Sequence, residues 1–378
     1  MRVEPPVSPD RLAVVRAPFL ATGAEVVDAP ILQPLGLLVD LAGEALRARL
    51  FTVQGPTGDE ACLRPDFTVP VARLHLDRGL ASGRYVYEGK VFRASPETSD
   101  RPEEFLQIGL EQFDTGEVST KADIDIVSLA WSACLAGDRK DMTLWLGDVG
   151  LFAAFVQGLE LSPSLSARIT RAAARPRLLQ AELARAGGAI TDVADAGLAG
   201  LLATLSPGDA GAMLEEVWAL AGIDPVGGRS PAEIAQRLIG RAEAARAPTL
   251  TIGQAQAISA FLAISASPDQ ALSQVLKLGG ANAQALRDKA GAWRTKLGQM
   301  FEAGLPVDQA QFVTALGHAF DYYDGLTFEV RSASLGDDLP LAVGGRYDGL
   351  LLRMGGPAQS RAVGAMVRPG RIVPEDSQ

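Results

Sequence analysis

The stretch Leu63–Asp114, LRPDFTVPVARLHLDRGLASGRYVYEGKVFRASPETSDRPEEFLQIGLEQFD, decides how the rest of the chain is read. It reads as a polar turn, a helix and two β-strands joined by a charged loop. The segment RYVYEGKVF alternates large β-formers with polar residues, and FLQIGLEQF does the same. Between them, Arg93 to Glu103 is polar and carries Pro96 and Pro102, which marks a loop. Asp66, Arg93, Gln107 and Glu111 fall on faces that otherwise read as buried. A solvated outer face explains any one of them. Together they point to a cleft, because ionisable groups placed among core positions need a ligand or one another.

The chain has 378 residues, 47% hydrophobic and 21% charged, a globular composition long enough for two or three domains. Its formal charge of -10, from 45 acidic against 35 basic residues, gives no general attraction for nucleic acid. Cys62 and Cys134 are its only cysteines, and His75 and His318 its only histidines. That count excludes a disulfide framework and argues against a zinc or multi-histidine metal centre. No metal and no cofactor are expected. The N-terminus does not resemble a signal peptide, and no apolar run approaches the roughly 20 residues of a membrane span. The cytoplasm is the expected compartment, with no membrane partner.

Outward from the opening stretch, Pro9 to Thr22 reads as an amphipathic helix and AEVVDAP as a short strand. LQPLGLLVDLAGEALRARLF reads as a core helix with apolar residues on more than one side, which allows a self-dimer interface. FTVQGPTGDEACLRPD reads as strand, Gly-Pro turn and strand. VSTKADIDIVSLAWSACLA reads as a helix capped at Ser119 or Thr120, and MTLWLGDVG as a further strand followed by a helix. From about Ser162 to Gly304 the chain is rich in Ala and Leu, in helical patterns broken by Pro and Gly, with no chemical motif. β patterns return at QFVTALG, DYYDGLTFEVRS, LPLAVGGRYDGLLLRMGG and SRAVGAMVRPGRIV. The order is sheet, helical insertion, sheet.

LRPDFTVPVARL, YEGKVFRA with EEFLQIGLEQFD, HAFDYYDGLTFEV, and AVGGRYDGLLLRMGG with RAVGAMVRPGRI resemble, in order, the catalytic core of class II histidyl-tRNA synthetases. The resemblance implies an α+β fold: a class II aminoacyl-tRNA synthetase-like antiparallel sheet flanked by helices. Residues 1–160 would form the first part of the core, 161–305 a helical insertion domain, and 306–378 the second part of the core. By resemblance, Asp66 and Thr68 sit where the family holds a histidine α-amino group. Gln107 and Glu111 sit where it meets the amino group and the imidazole. Tyr322 and Tyr323 match the tyrosine pair that closes the pocket. Arg93 matches the arginine of the second class II motif, suited to a carboxylate or α-phosphate. Arg371 matches the third-motif arginine that stacks on adenine, and with Arg346 it would mark a vestigial nucleotide site.

The departures from the family point one way. His318 replaces the arginine that acts as a fixed cation at the reacting carboxyl, and a histidine is mostly neutral at pH 7. The loop after Arg93 carries Glu97, Asp100, Glu103 and Glu104 against Arg101, where synthetases are basic, so it would repel ATP and tRNA. Phe67 stands where the family has glycine. No anticodon-binding domain is expected after Arg371. This combination resembles the synthetase-like regulatory subunits of ATP phosphoribosyltransferase. The resemblance implies a chain without catalysis of its own, which pairs with a short-form catalytic subunit and lets histidine inhibit as an effector, with no tRNA partner. The competing reading is a truncated synthetase-like enzyme forming histidyl-adenylate or modifying a non-tRNA acceptor, kept open by Arg93, Arg371 and Gly344-Gly345-Arg346-Tyr347-Asp348. A scaffold with a vestigial pocket is the third.

Overall fold

The computed structural model describes residues 2–373 apart from 43–46, 56–57, 59, 174, 188–204, 222–247, 281–282 and 318–321. Twelve strands are described: β1 Glu25–Val26, β2 Leu32–Pro34, β3 Thr52–Gln54, β4 Glu60–Leu63, β5 Gly83–Phe92, β6 Glu104–Thr115, β7 Met142–Asp148, β8 Ser265–Ala266, β9 Gln311–Val313, β10 Leu326–Ser332, β11 Ala342–Arg346 and β12 Ser360–Val367. Nine form one sheet in the order β1-β5-β6-β12-β11-β10-β7-β9-β8, and β2-β4-β3 form a second, small one. The large sheet is mixed. Its middle, from β5 to β7, is antiparallel as expected, but β1 pairs parallel to β5 and β9 parallel to β7.

The strand that organises the core is β6. Successive residues of a strand face opposite sides, so Gln107, Gly109, Glu111 and Phe113 share one face while Ile108 and Leu110 take the other. Both faces are buried, because each is covered. On the odd-numbered face lies the helix Thr68–Asp77, whose Val69, Val71 and Ala72 join one apolar cluster with Tyr85, Tyr87 and Phe113. Against β10, β11 and β12 packs the helix Thr120–Ala136, and the helix Pro9–Leu20 packs on that. Ser119 caps the first of these helices by accepting from Ala122 N–H at 3.2 Å.

The contacts divide the chain into two compact units. One comprises Met1–Glu160, Thr170–Pro176 and Ala257–Gln378, and the other Leu161–Ile169 with Arg177–Gln256. The second is helical where described, and Arg168 meets Glu182 within it at 3.2 Å. Residues 257–305, read from sequence as part of the insertion, fall in the first unit. The physical reason is visible in two places: β8 pairs with β9, and Trp293 of the helix Gln284–Glu302 donates to Asp148 at 2.6 Å. No helix among the described residues is long and apolar enough to cross a membrane.

Candidate functional site

Asp66, Thr68, Arg93, Gln107, Glu111, Tyr322 and Tyr323 line a single cavity, joined by Tyr87 and Tyr347. The empty space within it, open solvent at the mouth included, is about 360 Å³. The register of the sheet builds it. Glu111 lies opposite Tyr85 of β5 and Gly364 of β12, while Gln107 lies opposite Gly89. A Cβ at position 364 would overlap Glu111 Oε2, so this glycine is what lets the carboxylate lie across the sheet.

Glu111 is buried and accepts from three hydroxyls. Its Oε1 accepts from Thr68 Oγ1 at 2.8 Å and from Tyr87 at 3.3 Å, and its Oε2 from Tyr347. Burial nevertheless outweighs these donors and pushes its carboxyl up to about 7, so it is poised between protonated and ionised at neutral pH. Asp66, at the entrance to the helix Thr68–Asp77, is also raised by burial, against the opposing pull of Arg93 and of the Val69 and Thr68 N–H groups. Burial raises the phenols of Tyr322, Tyr323 and Tyr347 as well, which keeps them as neutral donors. The rings of Tyr322 and Tyr323 are 4.7 Å apart and lie 5.9 and 6.4 Å from that of Tyr347, forming an aromatic wall.

Gln107 carries the sharpest signal. Its side chain is fully buried, and neither its amide nitrogen nor its oxygen finds a hydrogen-bond partner among the described residues. The same holds for Asp66 Oδ1. Leaving a buried polar group unmatched costs about 1–3 kcal/mol, so these atoms have the character of ligand contacts. Among the described residues, Arg93 brings the one guanidinium of the cavity, steadied by an Nε–H donation to Pro65 O at 2.7 Å. Two carboxylates, one amide that can both donate and accept, and one guanidinium complement a small zwitterion bearing a second basic group. Among the described residues, no group of three His, Cys, Asp or Glu is arranged to hold a metal ion.

Arg346 and Arg371 do not reach this cavity. Arg346 Nε and Nη2 donate to Asp123 Oδ1 at 2.9 and 2.6 Å, and Nη1 donates to Asp348 at 3.0 Å, so it is a structural ion-pair residue. Arg371 donates to Pro340 O at 2.8 Å, and burial is the first cause of a pKa lowered to about 10. The acidic loop is partly neutralised from outside itself: Glu103 meets Arg2 at 3.3 Å and Glu104 meets Lys90 at 2.5 Å. Phe67 is fully buried, and its ring stacks on Tyr87 at 4.4 Å. His318 lies outside the described residues.

A family model described as histidyl-tRNA synthetase matches residues 13–224. An ATP phosphoribosyltransferase regulatory subunit from Mesorhizobium japonicum is 36% identical over 368 residues, covering 94% of both chains. One from Brucella anthropi is 32% identical over 360 residues, covering 95% of both. The chain belongs to the family of ATP phosphoribosyltransferase regulatory subunits. A Bacillus halodurans structure described as an ATP phosphoribosyltransferase regulatory subunit/histidyl-tRNA synthetase superposes with a TM-score of 0.64 at 19% identity, over 99% of this chain and 81% of that one. A histidyl-tRNA synthetase from Nostoc superposes at 0.60 and 16%, over 96% and 70%. These two show the shared fold.

Family resemblance guided the choice of seven cavity residues, but it missed Tyr87, Tyr347 and Gly364. Tyr347 sits inside the quoted GGRYDG segment, so the motif itself held the signal. Tyr87 follows from the two-residue alternation of β5 only once its pairing with Gly109 is known.

Proposed function

We propose that this chain is the non-catalytic regulatory subunit of ATP phosphoribosyltransferase, required for the first step of histidine biosynthesis. It pairs with a short-form catalytic subunit and passes on feedback inhibition by histidine. The observation that carries this reading is the description borne by relatives that span nearly the whole chain. The cavity supports the effector part. Asp66 and Thr68 take the α-ammonium, Gln107 and Glu111 the amino group and imidazole, and Arg93 the carboxylate, with Tyr322 and Tyr323 closing over the ring. Histidine bound there regulates the partner through a coupling of about 1–3 kcal/mol, enough for roughly 5- to 150-fold control. The chain works in the cytoplasm and self-associates through its synthetase-like core, and exposed Val26 on the edge strand of the large sheet, with exposed Ile31 and Leu32 at the small one, supports that contact.

Co-purification with a short catalytic subunit at micromolar concentration tests the reading. Association is expected, with transferase activity falling when this chain is withheld. Two proteins that stay apart at that concentration would sink it. A histidine-dependent ATP–pyrophosphate exchange assay is expected to be blank, and measurable exchange would return the chain to the enzymes.

A further inference from the structure

Behind the cavity stands a three-layer stack that ends at Tyr87. The guanidinium of Arg64 lies 4.0 Å from the centre of the Phe67 ring. Phe67 in turn lies 4.4 Å from Tyr87, with the two rings only 11° from parallel. Arg64 is buried and fixed from behind, because Nε donates to Lys90 O at 2.9 Å and Nη1 to Ala29 O. Two glycines on paired strands clear the space. A Cβ at Gly89 would meet Arg64 Nη2 and Phe67 at 2.5 and 2.8 Å, and one at Gly109 would overlap the Tyr87 hydroxyl. The stack ends at a functional atom, since Tyr87 donates to Glu111 Oε1.

We infer that Arg64, Phe67 and Tyr87 form a positioning device: the stack holds the Tyr87 hydroxyl on Glu111 and thereby sets the pH range over which the cavity takes its cationic ligand. This rests on the cavity being the histidine site. A carboxylate has about four acceptor positions. Three hydroxyls already point at Glu111, from Thr68, Tyr87 and Tyr347, which leaves about one for a ligand N–H. The ligand gains most when Glu111 is ionised, and each hydroxyl donor favours that form. Besides Tyr87 and Tyr347, the titratable or charged groups lining the cavity with Glu111 are Asp66, Arg93, Tyr322 and Tyr323. Burial dominates the titration of Glu111; Tyr347, Thr68 and, with the smallest effect, Tyr87 favour its ionisation, and Asp66 opposes it. Its cross-strand neighbour Tyr85 instead places its hydroxyl 3.0 Å from His75 Nδ1. The hydroxyl donors on Glu111 are therefore the handle that sequence changes can move, and Tyr87 is the one the stack controls.

Two measurements on the full chain test this. One is carboxyl carbon NMR of ¹³C-labelled protein, with Glu111 assigned by Glu111→Gln. The other is calorimetric titration with histidine from pH 5.5 to 9. Tyr87→Phe keeps the ring and removes one charge-assisted hydrogen bond, so the Glu111 midpoint is expected to rise by about one pH unit. From a midpoint of about 7, that makes histidine bind about fivefold more weakly than to wild type at pH 7, with the difference fading by pH 9. The ligand's own titration is common to both proteins and cancels in the ratio. Phe67→Leu keeps all three hydroxyls but removes the stack, and is expected to move the midpoint the same way by a smaller amount. A merely structural Phe67 would lower the melting temperature and leave the midpoint alone, which overturns its positioning role. An unmoved midpoint in Tyr87→Phe overturns the inference itself. If wild type binds no histidine at any pH, the proposed effector falls, while the NMR midpoints still decide whether the stack acts on Glu111.

Discussion

Two buried polar clusters lie on opposite faces of the same sheet, and they behave differently. On one face, Arg346 is held by Asp123 and Asp348, and Lys296 meets the other oxygen of Asp123 at 2.5 Å. Each charge there faces an opposite one, at separations that make strong ion pairs. On the other face, Glu111 is met by hydroxyls only, Asp66 keeps an unmatched oxygen, and Gln107 matches neither of its amide atoms. Both clusters contain residues that the sequence flags as functional. Buried charge therefore does not distinguish a binding site from a structural pin. The state of the hydrogen-bond ledger does, because a closed network has nothing to offer a ligand.

The largest effect is expected at Arg346. Arg346→Ala leaves the almost fully buried Asp123 with Lys296 as its remaining partner, and is expected to cost about 3–5 kcal/mol in denaturant unfolding. A loss below about 1 kcal/mol would mean that the cluster is not the closed structural pin described. The next effect is a pH slope. The folded state raises Glu111 from 4.5 to about 7 and so holds its proton more tightly than the unfolded chain does. Stability from this group is complete below about pH 4.5 and is lost as pH rises through about 7, by about 3 kcal/mol at most. Unfolding at pH 5 and pH 8 should therefore show a steeper fall in wild type than in Glu111→Gln, and equal slopes would contradict the burial argument. The smallest effect sharpens the contrast. Gln107→Ala should change stability by less than about 1 kcal/mol, since the amide has no internal partner to lose. It should weaken histidine binding about tenfold by calorimetry, the worth of one or two hydrogen bonds.

Much of the fold was legible because its strands announce themselves. RYVYEGKVF and FLQIGLEQF became β5 and β6, and the loop between them begins at Arg93 and ends before Glu104 as read. The short edge strands were harder. β8 has two residues inside an Ala-rich helical stretch, and it is a strand because β9 offers an open edge, not because of its own pattern. The parallel pairings at β1 and β9 were unreadable for the same reason. Within the site, Gln107 and Glu111 share a face by two-residue spacing alone. The dependence of Glu111 on Gly364 and Tyr87 needs the register across three strands, which no local pattern encodes. Arg346 illustrates the converse: a residue inside a family motif pairs with Asp123, distant in sequence, which no local pattern shows.

The role proposed for the synthetase-like cavity is that of histidine sensor in a regulatory subunit. The direct measurement is transferase activity of a short catalytic subunit reconstituted with this chain, with and without histidine, using wild type and Glu111→Ala. Both forms are expected to raise the activity of the catalytic subunit, and histidine to inhibit only the wild-type complex. Unchanged inhibition with Glu111→Ala would place the effector elsewhere and contradict it.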